Sequence, residues 1–485
     1  MRGKSLKVLS FFKENFNKYR KLSFLYILLV VGIIVLPLNF FSKVFLVLSI
    51  SNFIFCFFYF KNIFNLPGIL ITMFFLQIGC SQAKLTSVEQ DDFHFMTWLT
   101  LFTVVLIFYF CSFYVFKLAN KAVSNETIDN VYFYRRRLFL SNLIFLAFEV
   151  IIYLYVYVKL GSIPAFNDEI RAFLLPQLVG NLGMTVLSLP LFFIIINSVY
   201  CIIEKRYSLM LLNLIYVVLL ITLGSRICIF ISTVTVLFFA LITMYFKTNR
   251  KKEMLLLCVS IFSIVSLLMV SIPLIRTQIY IPDSGEKKIQ ISSGNSYYSS
   301  IYYDKKDFRD SEEENSKSSL EIPSVFLPIW VNFSTEMHGF NGIVENLFIT
   351  GNYKYGKMFL TGPFNFITKY FFEKPDYSDA LKISWINVCT FLQEPYLDFG
   401  IFGVALFTFI FSTCGMVLYV MAIKKKSLFT MVYYSYIAMC TVFFIFANHF
   451  YYSTFIINTS LLYILIKLFT NDKISIKRKK HEIIK

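Results

Sequence analysis

Residues 22–41 read LSFLYILLVVGIIVLPLNFF, without a single charge, and this stretch decides the fold class. At about 1.5 Å per residue such a run crosses a hydrocarbon core about 30 Å thick as one helix. The residues before it carry Arg2, Lys4, Lys7, Lys13, Lys18, Arg20 and Lys21 against one acid, Glu14. The apolar run is too long for the core of a cleavable leader and has no small-x-small cleavage site, so it reads as a retained first span. Comparable apolar blocks recur at 43–60, 63–80, 94–116, 138–158, 179–203, 207–223, 227–246, 254–275, 397–421, 427–448 and 451–469, with Pro67-Gly68 interrupting the third span. The expected fold is an all-α polytopic integral membrane protein of about twelve transmembrane helices.

Composition supports that class. The chain has 485 residues, of which 57% are hydrophobic and 15% charged, whereas a soluble chain carries about 25% charge. The net charge of +17 does not point to nucleic acid, because the basic residues sit at the ends and in short loops. With the N-terminus inside, the inner loops hold Lys61, then Lys117, Lys121, Arg135, Arg136 and Arg137, then Lys205 and Arg206. Lys247, Arg250, Lys251 and Lys252 follow, then Lys424, Lys425 and Lys426, and last the tail run Lys477-Arg478-Lys479-Lys480. The outer loops are acidic or mixed, as in Glu89-Gln90-Asp91-Asp92. This positive-inside pattern puts both termini in the cytoplasm, with membrane lipid headgroups as the partner of the basic residues.

The blocks divide the chain into an N-terminal bundle of nine spans over 1–276, a large outer loop over 277–395, three spans over 396–470 and a basic cytoplasmic tail over 471–485. Within the loop, 283–319 is polar, with the run Asp310-Ser311-Glu312-Glu313-Glu314, and has little material for a core. From 322 to 395 aromatic and aliphatic residues return between glycines, which predicts short amphipathic helices lying on the membrane surface. No internal repeat relates the two halves, which counts against a secondary transporter. The nine cysteines have no framework spacing and fall mainly in apolar blocks, as small hydrophobes do.

Few side chains in such a chain can carry chemistry. Gly224-Ser225-Arg226 is the whole connection between the seventh and eighth spans. A glycine can end one helix, a serine can cap the next, and Arg226 then stands beside unpaired N–H groups at a helix start, an arrangement suited to phosphate or diphosphate. The same arginine could equally be a snorkelling anchor among headgroups. Arg171, after Gly161-Ser162-Ile163-Pro164, and Arg276, after Pro273, fall on the same outer side and could converge on one anionic group. Each could instead anchor a span end, or pair with an acid such as Asp168. Glu336 and His338 lie two residues apart in the large loop and could accept a proton from a hydroxyl; a lone loop histidine is otherwise simply solvated. Glu149, mid-span in the fifth block, is an intramembrane acid and hence either functional or a protonated hydrogen-bond partner of a neighbouring helix. There is no Walker A loop, no HExxH, no zinc spacing and no Asp-x-Asp pair, so no metal, nucleotide or cofactor is expected.

Taken together, this layout resembles the bacterial oligosaccharide repeat-unit polymerases of the O-antigen and capsule type (Wzy). The resemblance lies in the large outer loop late in the chain, in Gly161-Ser162-Ile163-Pro164 leading to Arg171, and in Gly224-Ser225-Arg226. It continues in Asn387-Val388-Cys389-Thr390-Phe391 running to Tyr396-Leu397-Asp398-Phe399-Gly400 and Gly403, with Cys389 standing where such chains carry an aromatic residue. It implies a metal- and nucleotide-independent glycosyltransferase in the bacterial cytoplasmic (inner) membrane, acting on polyprenyl-diphosphate-linked oligosaccharide as donor and acceptor. Arg171, Arg226 and Arg276 would hold the diphosphate, with Glu336 and His338 as the catalytic pair. The resemblance also allows a chain-length regulator protein as a partner. A lipid-linked oligosaccharide flippase and an O-antigen-ligase-like transferase are the alternatives.

Overall fold

The computed structural model describes residues 20–60, 62, 64–85, 91–124, 132–161, 163–164, 174–223, 225–246, 327–362, 364, 368, 371, 389–444, 448 and 453–470. The chain is all-helical in these residues, with no β-strand among them and one isolated antiparallel bridge between Phe133 and Thr470. The helices are α1 (Arg20–Val35), α2 (Phe40–Phe60), α3 (Leu66–Ser81), α4 (Phe95–Ala122), α5 (Arg135–Leu160), α6 (Leu175–Leu187) and α7 (Pro190–Glu204). There follow α8 (Met210–Thr222), α9 (Arg226–Phe246), α10 (Leu327–Thr350), α11 (Lys357–Thr361), α12 (Gln393–Lys425), α13 (Leu428–Phe443) and α14 (Ser453–Phe469). Among the described residues α2, α4, α5 and α12 are long and apolar enough to cross a membrane. The expected span 254–275, the polar insert 283–319 and the basic tail lie outside the described residues.

Most apolar blocks of the sequence are single helices, and the departures have local causes. The block 179–203 is two helices, α6 and α7, broken at Ser188-Leu189. Pro190 lacks the N–H that would continue α6, and its fixed φ suits the first turn of α7. Pro67-Gly68 does not interrupt a helix but opens one: the Asn65 side chain accepts the Gly68 N–H at 2.6 Å, and Pro67 occupies the first turn of α3. The stretch 327–350, expected as short surface helices, is one 24-residue helix with Met337, Phe340, Ile343, Val344 and Leu347 buried.

Chain contacts divide the molecule into two compact units. The first draws on residues up to Ser112, on 289–412 and on 441–451; the second takes the remainder. In the first, α2 and α3 form a close hairpin. Ser42 Oγ donates to the Gly79 carbonyl at 2.7 Å, Ser49 Oγ to the Thr72 carbonyl at 2.8 Å, and Asn52 Nδ2 to Thr72 Oγ1 at 2.9 Å. A Cβ on Gly79 would stand 2.9 Å from Leu46, so the absence of a side chain is what lets the backbones approach. Small and hydroxylated contact residues of this kind are how helices associate where apolar surface gains nothing from leaving lipid.

In the second unit, α5, α7 and α8 are joined by a chain of buried amides. Asn142 and Asn197 exchange hydrogen bonds at 2.9 and 2.8 Å, Asn197 Nδ2 donates to Asn213 Oδ1 at 3.0 Å, and Asn213 Nδ2 donates to Ser198 Oγ at 2.9 Å. The Tyr216 hydroxyl closes the set by donating to the Asn142 carbonyl at 3.1 Å. Beside it, Phe145 and Phe193 stack with ring centroids 4.4 Å apart. Every amide finds a partner, which is the condition under which a buried polar group does not destabilise a helical bundle.

Candidate functional site

The first unit holds α10 against its neighbours by two different faces. At 100° per residue, positions two apart on a helix point to nearly opposite sides. His338, 4% exposed, belongs to the face that meets α3: its Nε2 lies 3.1 Å from the Ser81 carbonyl, and its ring stands edge-on to Phe93 at 5.1 Å. A carbonyl only accepts, so this bond requires the proton on Nε2. On the same side Asn341 Oδ1 accepts from the His94 N–H at 2.8 Å and from Thr97 Oγ1 at 2.7 Å, tying α10 to the start of α4.

Glu336 lies on the other face, one turn before Phe340, whose ring meets Tyr396 edge-on at 5.5 Å. Its Oε2 is buried and has no hydrogen-bond partner among the described residues. Burial pushes this carboxyl well above the usual carboxylate range. The structure thus separates two residues that the sequence sets side by side. His338 is engaged as a helix–helix tie, and Glu336 is the one with a free acceptor.

What Glu336 faces is the turn that leads into α12. The backbone of that turn is fixed on several sides: the Cys389 N–H donates to Gln393 Oε1 at 2.6 Å and the Phe391 N–H to the Phe444 carbonyl at 3.1 Å. Phe391 stacks on Phe444 at 4.4 Å and also touches Phe74 of α3 at 5.9 Å. The buried Cys389 thiol is held well above its ordinary pKa, first by burial and then by the nearby Glu336 and Glu394 carboxyls. Glu394, at 5% exposure, has an Oε2 without a hydrogen-bond partner among the described residues.

The stretch Tyr396-Leu397-Asp398-Phe399-Gly400 and Gly403 is a kink. α12 continues on both sides of it, but Phe399 and Gly400 have non-helical backbone angles, and Gly400 takes φ +58°. Just before the kink, Asp398 holds the start of α11: its two carboxyl oxygens accept the Met358 and Phe359 N–H groups at 3.0 and 2.8 Å. The Leu397 and Asp398 carbonyls accept the N–H groups of Lys354 and Tyr355 at 2.8 and 3.1 Å. Replacing Asp398 with alanine removes a carboxylate that satisfies two backbone donors, a loss of about 1.5–3 kcal/mol per charged bond. The expected result is a lower thermal midpoint and new tryptic cleavage at Lys354 and Lys357, read by gel after limited proteolysis; unchanged cleavage would show that the segment is held by other contacts.

Of the arginines, Arg226 is the first residue of α9, and its side chain lies outside the described residues, as do Arg171 and Arg276 altogether. The turn before α9 is closed by the Ser225 N–H, which donates to the Leu220 carbonyl at 3.0 Å. Glu149, in the second unit, is fully buried on α5, with neither carboxyl oxygen partnered among the described residues. Six of the eight described cysteines are buried. Among the described residues no group of three or more His, Cys, Asp or Glu is placed to hold a metal ion.

No family model, curated protein or solved structure matches this chain. The site therefore stands on its own chemistry: a buried carboxyl with a free oxygen on α10, a second on the first turn of α12, and a thiol close to both. Sequence reading found Glu336 and missed Glu394. An acid just before a proline at the start of an apolar block reads as a solvated helix-start residue, and only the packing of α12 reveals that it is buried.

Proposed function

We propose that this protein is a multi-pass glycosyltransferase of the bacterial cytoplasmic membrane that joins polyprenyl-diphosphate-linked oligosaccharide repeat units at the outer face. In this reading twelve spans leave both termini in the cytoplasm and residues 277–395 outside. The observation that carries it is the buried, unpartnered Glu336 carboxyl oxygen on α10, in the segment that the positive-inside pattern assigns to the outer side.

The chemistry needs little else. A hydroxyl of the incoming repeat unit attacks the anomeric carbon of the growing glycan. The new C–O bond forms as the bond to the lipid diphosphate breaks, and the hydroxyl proton passes to Glu336. A carboxyl whose pKa is raised by burial is a better match for this proton at neutral pH than an ordinary one. The diphosphate departs with its electron pair, and preorganised cations at a water-poor membrane edge stabilise that charge. Arg226, Arg171 and Arg276 are assigned that role on their placement in the sequence. No nucleotide is consumed, because the donor is already activated.

Two measurements test the reading. Deleting the gene is expected to collapse the polysaccharide ladder on a gel to glycans with a single repeat unit; accumulation of lipid-linked units solely on the inner leaflet would instead identify a flippase. Arg226→Ala at matched membrane expression is expected to reduce chain growth by about 30- to 1000-fold, the effect of removing one preorganised donor at a developing anion. Arg226→Lys should also be impaired, because a guanidinium forks onto two phosphate oxygens and an ammonium does not. A headgroup anchor would accept lysine freely.

A further inference from the structure

The Glu336 carboxyl is not alone in its chamber. Glu394 stands on the first turn of α12, on a backbone locked by Gln393, Phe391 and Asp398, and Cys389 has both carboxyls as close electrostatic neighbours. Each acid presents an Oε2 that is buried and without a partner among the described residues. A buried acceptor left unmade destabilises the protein by about 1–3 kcal/mol. Two of them around one thiol form an acceptor set that awaits a ligand bearing several hydrogen-bond donors. A cation would ask for more oxygens than this set offers, since hard cations take about six or more ligands. A ring carrying neighbouring hydroxyls supplies donors spaced to reach two acceptors at once.

We infer that Glu336 and Glu394 together form a sugar subsite, in which Glu394 accepts hydroxyls of the same repeat-unit residue whose attacking hydroxyl faces Glu336. Glu394 is thus a second substrate-contacting residue, one that positions the acceptor while Glu336 takes the proton. The inference rests on the glycosyl-transfer reading for the identity of the sugar, and on the two free oxygens for the site.

The test uses the full chain in lipid nanodiscs and, as probe, the lipid-linked oligosaccharide pool extracted from cells that lack the gene. Glu394→Gln keeps the shape of the side chain and removes its charge. It is expected to weaken binding of the probe by about 10- to 100-fold, the effect of losing charge-assisted bonds to a ligand, and to raise KM for chain growth. Its thermal midpoint is expected to stay level or rise, because an unpartnered buried carboxyl opposes folding; sites kept for function are commonly stabilised by such a change. A purely structural acid would do the reverse, lowering the midpoint and leaving the affinity of the folded fraction untouched, and that result would overturn the inference. So would loss of wild-type binding on adding a chelator, which would assign the pair to a cation. A Glu394→Gln protein with wild-type affinity and a full ladder would sink the subsite while leaving the polymerase standing. Conversely, if the ladder survives gene deletion but Glu394→Gln still loses affinity for the probe, the polymerase reading fails and the sugar subsite stands.

Discussion

Glutamine in place of Glu336 is expected to slow chain growth by about 100- to 10,000-fold, the contribution of a positioned general base. The substitution is nearly isosteric, so the packing of α10 beside Tyr396 should survive, and protein level in the membrane should match wild type. The pH dependence follows from the direction of the shift. A base works only when ionised, and burial holds the Glu336 carboxyl protonated to higher pH than an ordinary glutamate. Wild-type activity should therefore rise about tenfold per pH unit below the raised pKa and level off above it, while the residual activity of Glu336→Gln should lack that limb. His338→Gln should behave differently: it breaks the tie to the Ser81 carbonyl and should lower the thermal midpoint, with a smaller effect on turnover per folded molecule. A full ladder from Glu336→Gln membranes, or a pH profile that it leaves unchanged, would remove Glu336 from the reaction.

The second large effect is expected at the kink in α12. A Cβ on Gly403 would stand 2.2 Å from the Pro395 carbonyl oxygen and 3.0 Å from the Phe399 Cβ. The first contact is with backbone, so it cannot be relieved by turning a side chain. Gly403→Ala must open the kink, and overpacking of this sort destabilises by about 1–3 kcal/mol or more. Gly400→Ala adds a different strain, since φ +58° with ψ −141° is a region open in practice to glycine, and the Tyr353 ring lies 3.3 Å from where the new methyl would go. Both variants move the turn that carries Glu394 and Asp398 relative to α10. The expected outcome is a drop in folded yield after detergent extraction together with loss of chain growth. Restored growth at lower temperature would show that the chemistry is intact and the geometry at fault; wild-type yield and growth in Gly403→Ala would mean that the kink is free to open.

The helices of this chain were legible because lipid solvent demands long uninterrupted apolar runs, and α2, α4 and α5 follow from that demand. Breaks were harder to place. Pro190 divides one apolar block into α6 and α7 with no change in hydrophobicity, and Pro67 opens α3 in a block where it reads as an interruption. The site was half legible for a geometric reason. Proximity along the chain grouped Glu336 with His338, but two residues is about half a turn of helix, so α10 sends them to different neighbours. Glu394, 58 residues further on by the numbering, is the residue that packing brings to the chamber. The same limit applies to the Asp398 and Gly403 stretch, whose meaning as a kink depends on backbone angles that no composition encodes.

The amide chain of the second unit has a consequence for how such a protein comes to be made. A helix released sideways from the insertion machinery meets lipid before its later partners are synthesised. Asn142 enters with one bond already formed, since its Nδ2 donates to the Leu138 carbonyl one turn back at 2.8 Å. The rest of its hydrogen-bonding capacity stays open until Asn197 and Tyr216, more than fifty residues later, arrive on α7 and α8. A slip of one turn between these helices would strand at least two amides in hydrocarbon, so the native register is selected stepwise as each segment joins. Quality-control proteases that patrol the bilayer recognise exposed polar groups, and the interval between α5 and α8 is when this chain is most open to them.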